Sequence, residues 1–162
     1  MTSAADVPAV SGVVVGSPVP GTALAMSDVP DPVFAESIVG PGVAVDPPRE
    51  GDVDVVAPFD GTLVKLHPHA FVVQHASGRA VLVHLGLDTV QLKGEGFTLH
   101  AAEGESVSAG QVLVTWRPGD IAEGGRSPVS PVVALDAAPG ALRGLTAPGT
   151  ALGTGSALFE WA

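Results

Sequence analysis

Hydrophobic positions along this chain come in short runs rich in Val, Leu and Thr, each ended within a few residues by glycine or proline. That texture predicts many short strands joined by tight turns, because strand-forming residues are enriched inside the runs and turn-formers at their ends. The expected architecture is all-β, an antiparallel sandwich or barrel. Short helical turns are expected near residues 31–36, 86–89 and 136–144, and residues 117–128 read as a surface loop. Residues 1–9 read as a disordered leader and residues 10–162 as a single domain. Two internal echoes suggest that the sandwich consists of two related halves. Pro18, Gly21 and Thr22 recur as Pro58, Gly61 and Thr62, and Gly104, Gly110 and Trp116 recur as Gly149, Gly155 and Trp161.

The apolar runs 70–73 and 80–83 flank Ala76-Ser77-Gly78-Arg79, a hairpin signal. With Ser77 and Gly78 as a two-residue turn, Phe71 stands opposite His84, and His69 lies on the face of Phe71. His69 and His84 are then diagonal cross-strand neighbours, with β-carbons about 7 Å apart, within reach of two imidazoles. A three-residue loop would place the two rings on opposite faces.

Composition narrows the chemistry. Seventeen acidic against seven basic residues give a net charge of -10, and no Lys/Arg cluster is available for a phosphate backbone, so nucleic acid is excluded and a basic partner favoured. With no cysteine, disulfides, thiolate catalysis and Cys-ligated metals are excluded. The first positive side chain is Arg49, so the basic opening of a secretory signal is missing. The uncharged stretch 7–27 is broken by Pro8, Pro18, Pro20 and glycines, so no membrane-spanning helix is expected there. A cytoplasmic protein is the expectation.

Four of the five histidines fall between residues 67 and 84. His100 reads as a solvated surface residue and His75 as exposed beside the hairpin turn, while His67 flanks Pro68 in a loop. The pair His69 and His84 admits three chemistries. One imidazole can accept a phosphoryl group while the other stabilises its oxygens; His67, His69 and His84 can ligate a metal; or the pair can act in acid/base catalysis, with Asp88 as the available carboxylate. Periodicity does not choose among them.

Particular stretches do. Phe34-Ala35-Glu36-Ser37-Ile38-Val39-Gly40, Val56-Ala57-Pro58-Phe59-Asp60-Gly61-Thr62, His69-Ala70-Phe71 and, most specifically, the run from Val83 to Phe97 (VHLGLDTVQLKGEGF) strongly resemble the glucose-class IIA protein of the bacterial phosphoenolpyruvate-dependent sugar phosphotransferase system. The likeness runs from about residue 10 to 161. It implies an antiparallel β-sandwich with duplicated halves and a phosphotransferase component that works as a carrier through a phosphohistidine. His84 would take phosphate from phospho-HPr and pass it to a cysteine of a IIB or IIBC component, with His69 stabilising the phosphoryl group. No cofactor is required, although a regulatory zinc at His69 and His84 comes with the family. The resemblance further implies a docking face of Val33, Phe34, Ile38, Leu82 and Val90 rimmed by Asp31 and Asp88. A monomer is expected, and the sugar is glucose or N-acetylglucosamine by family likeness.

The chain departs from the family in two places. Relatives usually carry Thr two residues before the first histidine; here that place is His67, so either His67 or a backbone carbonyl is expected to orient His84. The basic amphipathic N-terminal helix of the enteric form has no counterpart in residues 1–10. Two rival readings share parts of the texture. A biotinyl or lipoyl carrier needs a modified lysine at a hairpin tip, and neither Lys65 nor Lys93 has that context. A lysostaphin-like zinc peptidase needs a late His-x-His after its His-x-x-x-Asp, and here His67-Pro68-His69 comes before His84 and Asp88.

Overall fold

The structure, a computed structural model, describes residues 12–138 and 140–162, and the expected leader 1–9 lies outside them. In chain order the elements are β1 (Val13–Gly16), β2 (Gly21–Ala25), α1 (Pro32–Ala35), β3 (Gly42–Asp46), β4 (Val53–Val56), β5 (Gly61–His67), β6 (Ala70–Gln74), β7 (Ala80–His84), β8 (Phe97–Leu99), β9 (Ser106–Val107), β10 (Val112–Trp116), α2 (Pro118–Glu123), β11 (Ser130–Ala134), β12 (Leu142–Arg143), β13 (Ala151–Leu152) and β14 (Ala157–Trp161). Single 3-10 turns lie at Met26–Asp28 and Thr89–Leu92. An eight-stranded sheet runs β13-β2-β3-β11-β7-β6-β5-β9, and two three-stranded sheets run β1-β14-β12 and β4-β10-β8, all antiparallel.

The main core lies between the large sheet and the small ones, and strand alternation supplies it. Phe71, Val73, Val81, Val83, Val132 and Val45 point inward from the large sheet and meet Val15, Val55, Leu113, Trp116 and Phe159 from the small ones. The residues between them face the other way. On β7 this leaves Ala80, Leu82 and His84 half-buried while Val81 and Val83 are fully covered.

The echoes in the sequence correspond to matching places in the fold. Gly21 and Thr22 pair with Leu152 and Ala151 at one end of the large sheet, and Gly61 and Thr62 pair with Val107 and Ser106 at the other. Two hydrogen bonds between the halves are reciprocal: Gly16 N–H donates to the Pro58 carbonyl at 3.0 Å, and Val56 N–H to the Pro18 carbonyl at 2.9 Å. The tryptophans end matching strands, Trp116 opposite Val53 and Trp161 opposite Val13.

A second, smaller cluster covers part of the sheet's outer face. Residues 26–41, which join β2 to β3, fold back so that Met26, Val29 and Phe34 seal Ala44, Val133, Leu87 and Val129. This is why every residue of β11 is buried: it has apolar neighbours on both faces.

Four expectations need correction. Within 117–128 the chain forms α2, begun by Pro118 at the first helical position, where its missing N–H costs nothing. Near 86–89 the helical turn starts at Thr89 instead, because Gly86 (φ 78°) and Asp88 (φ 60°) are left-handed. Among the described residues of 136–144 there is no helix; Asp136 turns the chain with φ 59°, and Leu142–Arg143 pair with β14. The β6–β7 loop has three residues rather than two, since His75 N–H donates to the Arg79 carbonyl at 2.7 Å around Ala76, Ser77 and Gly78. Gly78 takes the left-handed position such a loop requires, at φ 96°. His84 therefore stands opposite Ala70, and Phe71 opposite Val83.

Candidate functional site

With that register, strict alternation would separate His69 from His84, yet their rings meet. Pro68 and His69 form the two-residue turn between β5 and β6, where His67 pairs with Ala70. A turn residue is released from the up-down alternation of a strand, so the imidazole of His69 can swing to the outer face. Its ring centroid lies 5.2 Å from that of His84 at an interplanar angle of 72°, edge to face. His67 and His84 both stand opposite Ala70, one on each neighbouring strand, and so share its face. Ala70, 6 % exposed, is the floor between them. His67 stacks on His69 with centroids 5.8 Å apart and planes 25° apart.

The ring of His84 is held from the far side. Its Nδ1 lies 2.6 Å from the Gly86 carbonyl. A carbonyl only accepts, so neutral His84 carries its proton on Nδ1 and presents a lone pair at Nε2. Of the two orienters expected, the backbone carbonyl makes this bond, and His67 lies against His69 instead. The loop supplying the carbonyl is itself fixed: Thr89 Oγ1 donates to the Leu85 carbonyl at 2.7 Å, and Leu87 N–H to the Ser127 carbonyl at 2.8 Å. Only glycine fits at 86, because its φ is left-handed and a β-carbon would stand 2.8 Å from Thr89 Cγ2.

Phe34 closes the other side, its ring centroid 5.3 Å from that of His84. α1 carries it there; Asp31 caps that helix by accepting from the Val33 N–H at 3.0 Å, and Pro32 begins it. Burial lowers the proton affinity of His84, opposed by the Gly86 hydrogen bond and by the charges of Asp31 and Asp88. His69 is also lowered, first by burial and then by its neighbours His84 and His67. Both imidazoles are therefore neutral at neutral pH, which is the nucleophilic form.

Val33, Ile38 and Val90 are exposed at 43 %, 66 % and 59 %, and Leu82 is half-buried. Phe34, grouped with the docking face from the sequence, is only 7 % exposed and belongs to the second cluster, where its contact is with His84 itself. Asp31 and Asp88 both lie close enough to act on His84 electrostatically. The remaining histidines lie elsewhere. His75 packs edge-on against Phe59, with Ser77 Oγ on its Nδ1 at 2.9 Å. His100 is exposed, its Nε2 bonded to Thr115 Oγ1, which in turn donates to Asp54. Among the described residues no three His, Asp or Glu side chains converge as a metal site, so His69 and His84 would offer a zinc ion only two imidazoles.

Sequence reasoning did not identify the Gly86 carbonyl, the Thr89 latch or the Ala70 floor. The first two had a signal in Leu85-Gly86-Leu87-Asp88-Thr89, a glycine breaking an apolar strand beside a hydroxyl. The floor had none, because it depends on register.

An all-β sandwich with a neutral, carbonyl-oriented imidazole beside a second one defines a class, a β-sandwich carrying a paired-histidine site. The comparisons supply the family. Residues 13–139 match the model of the phosphoenolpyruvate-dependent sugar phosphotransferase system, EIIA 1, and the chain belongs to that family. It is 44 % identical over 119 residues to the glucose-specific EIIA component of Halalkalibacterium halodurans, covering 72 % of this chain and 67 % of that one. It is also 44 % identical over 124 residues to the mannose-specific EIIBCA component of Corynebacterium glutamicum, covering 75 % of this chain but only 18 % of that longer protein. Among solved structures it resembles glucose permease IIA from Mycoplasma capricolum, with a TM-score of 0.82 at 33 % identity, covering 93 % of this chain and 96 % of the other. The chain is thus a glucose-type IIA component of a sugar phosphotransferase system. No helix among the described residues is long and apolar enough to cross a membrane.

Proposed function

We propose that His84 is the phosphoryl acceptor of this carrier and His69 its stabilising neighbour, with phospho-HPr as donor and a IIB or IIBC cysteine as recipient. The observation that carries the reading is the Nδ1 contact of His84 with the Gly86 carbonyl at 2.6 Å, which leaves Nε2 as the nucleophile next to a second imidazole. The Nε2 lone pair attacks phosphorus of the donor's phosphohistidine; the new N–P bond forms as the old one breaks, and the donor imidazole recovers its electron pair. In the return step a thiolate attacks the same phosphorus and His84 leaves as the neutral imidazole it was before. Nδ1–H stays on the Gly86 carbonyl throughout and spreads the charge that grows on the phosphorylated ring. The step needs positioning and charge stabilisation rather than a cofactor.

The phosphoryl oxygens bring negative charge close to Asp31 and Asp88, which keeps the phosphoimidazole energetic enough to hand on. A hydrogen bond from His69 offsets part of that repulsion. The exposed apolar patch of Val33, Ile38, Leu82 and Val90 is the docking face, and its acidic rim suits a basic HPr surface. HPr as donor places the work in the cytoplasm, and a monomer leaves the face free for each partner in turn. Relatives named for glucose, glucosamine and mannose support a glucose-type or N-acetylglucosamine-type sugar, chosen by the membrane subunit.

The test is incubation with phosphoenolpyruvate, enzyme I and HPr. The chain should gain one acid-labile, base-stable phosphate, and His84→Ala should gain none. Full labelling of His84→Ala would overturn the assignment.

A further inference from the structure

Away from the histidines, a cavity of about 260 Å³ opens between the 3-10 turn Thr89–Leu92, the loop after it and α2. It is several times the roughly 30 Å³ that one water occupies in the liquid. Leu92 and Ile121 give it an apolar wall, Gly96 and Gly124 keep it open, and Arg117 and Arg126 line it together with Glu95 and Asp120.

The charges in this lining are not equivalent. Arg117 is already paired, with Asp52 at 3.0 Å and Asp120 at 3.3 Å, so its positive charge is taken up. Glu95 is exposed and solvated. Arg126 differs from both. It is half-buried, and no carboxylate among the described residues lies within ion-pair distance of it. Its Nη2 donates to a neutral acceptor, Gln91 Oε1, at 3.0 Å, and its Nε–H is buried with no acceptor among the described residues. A buried guanidinium N–H left without an acceptor is costly. Its backbone is anchored just after α2 by the bond from Arg126 N–H to the Ile121 carbonyl at 3.1 Å.

We propose that this cavity binds a small monocarboxylate, whose carboxylate pairs with Arg126 and whose short aliphatic part lies on Leu92 and Ile121. A planar carboxylate matches the fork of a guanidinium, with two acceptor oxygens for two parallel N–H donors. A single negative charge balances Arg126. A phosphate dianion would bring an excess charge against Glu95, in a chain whose net charge is already -10. The ligand would take Arg126 in competition with Gln91, a residue of the same 3-10 turn as Val90, so occupancy should be felt at the rim of the histidine site. That coupling rests on the proposed phosphoryl role; the binding does not.

The experiment uses the full, unphosphorylated chain labelled with ¹⁵N, titrated at constant ionic strength with sodium butyrate, sodium acetate and inorganic phosphate in separate series. Butyrate should shift the Arg126 Nε–H and the Gln91 side-chain amide together and saturate at millimolar concentration. Acetate, which leaves the apolar wall bare, should bind severalfold more weakly, and phosphate more weakly still. Arg126→Gln should abolish the saturable shift, and Arg126→Lys, which keeps the charge but not the fork, should weaken it at least fivefold while the rest of the spectrum stays native. The proposal is overturned by a butyrate series that never saturates, by an unchanged response in either variant, or by phosphate binding tighter than butyrate. Each result is independent of whether His84 carries phosphate.

Discussion

The hairpins β2–β3 and β5–β6 occupy matching places at opposite ends of the large sheet, and they are closed in opposite ways. The first is joined by residues 26–41, long enough to contain a 3-10 turn, α1 and a buried phenylalanine, all laid over the sheet's outer face. The second is joined by Pro68 and His69 alone. A duplicated scaffold thus becomes a one-sided site. The long connection supplies a wall, with Phe34 against His84 and Asp31 nearby, and the short turn supplies a second imidazole freed from strand alternation. If both hairpins had tight turns the outer face would be bare, and if both had long ones it would be sealed.

The comparison can be broken most severely at the short turn. His69→Gln should still accept phosphate but pass it to a IIB domain about 10²–10³-fold more slowly, the usual effect of removing one charge-stabilising donor; rapid-quench transfer measurements decide, and an unchanged rate rejects the assigned role. On the long connection, Phe34→Ala should cost about 3–5 kcal/mol in urea unfolding, since it empties the centre of the second cluster. A loss below about 1 kcal/mol would mean that the wall contributes little to folding. The loop between the two is probed by Gly86→Ala, whose left-handed φ and close neighbours predict a loss of about 1–3 kcal/mol. Slower phosphate acceptance should accompany it, because the displaced carbonyl no longer fixes the Nε2 lone pair.

The smallest effect concerns charge. His84 has its proton affinity lowered by burial, so the folded state favours the neutral ring. The unfolded chain binds the proton more readily, so this contribution to stability is complete above the ordinary histidine value of about 6.5. It is lost as pH falls from there through the folded-state value. Asp31 opposes the lowering, so Asp31→Asn, which preserves the helix cap, should move the His84 midpoint further down and carry the acid limb of phosphate acceptance with it. An NMR titration in which the midpoint stays or rises would contradict this.

Much of the architecture could be read directly. Glycine or proline directly follows several strands, as Pro47, Pro68, Gly144 and Gly153 do, and the echoes at Gly21 and Gly61 mark matching strand pairs because turn chemistry is local. The histidine pair was legible as a pair, but not by the geometry that produces it. Ser77-Gly78 suggested a two-residue turn, and the shift to three moved every partner by one. The rings meet because His69 lies in a different turn, one the sequence reading treated as strand continuation.

What the sequence alone determined is therefore local: strand periodicity, left-handed glycines, the absence of cysteine, the excess of acid, and the two imidazoles whose neighbours carry the family likeness. Nonlocal packing settled the rest, namely that Ala70 is the floor, that the Gly86 carbonyl selects the tautomer, that Phe34 is buried against the ring, and that Arg126 has no counter-charge among the described residues. These depend on which segments fold over one face of a sheet. A chain's pattern sets which side of its own strand a residue takes, whereas long-range packing sets what it meets there.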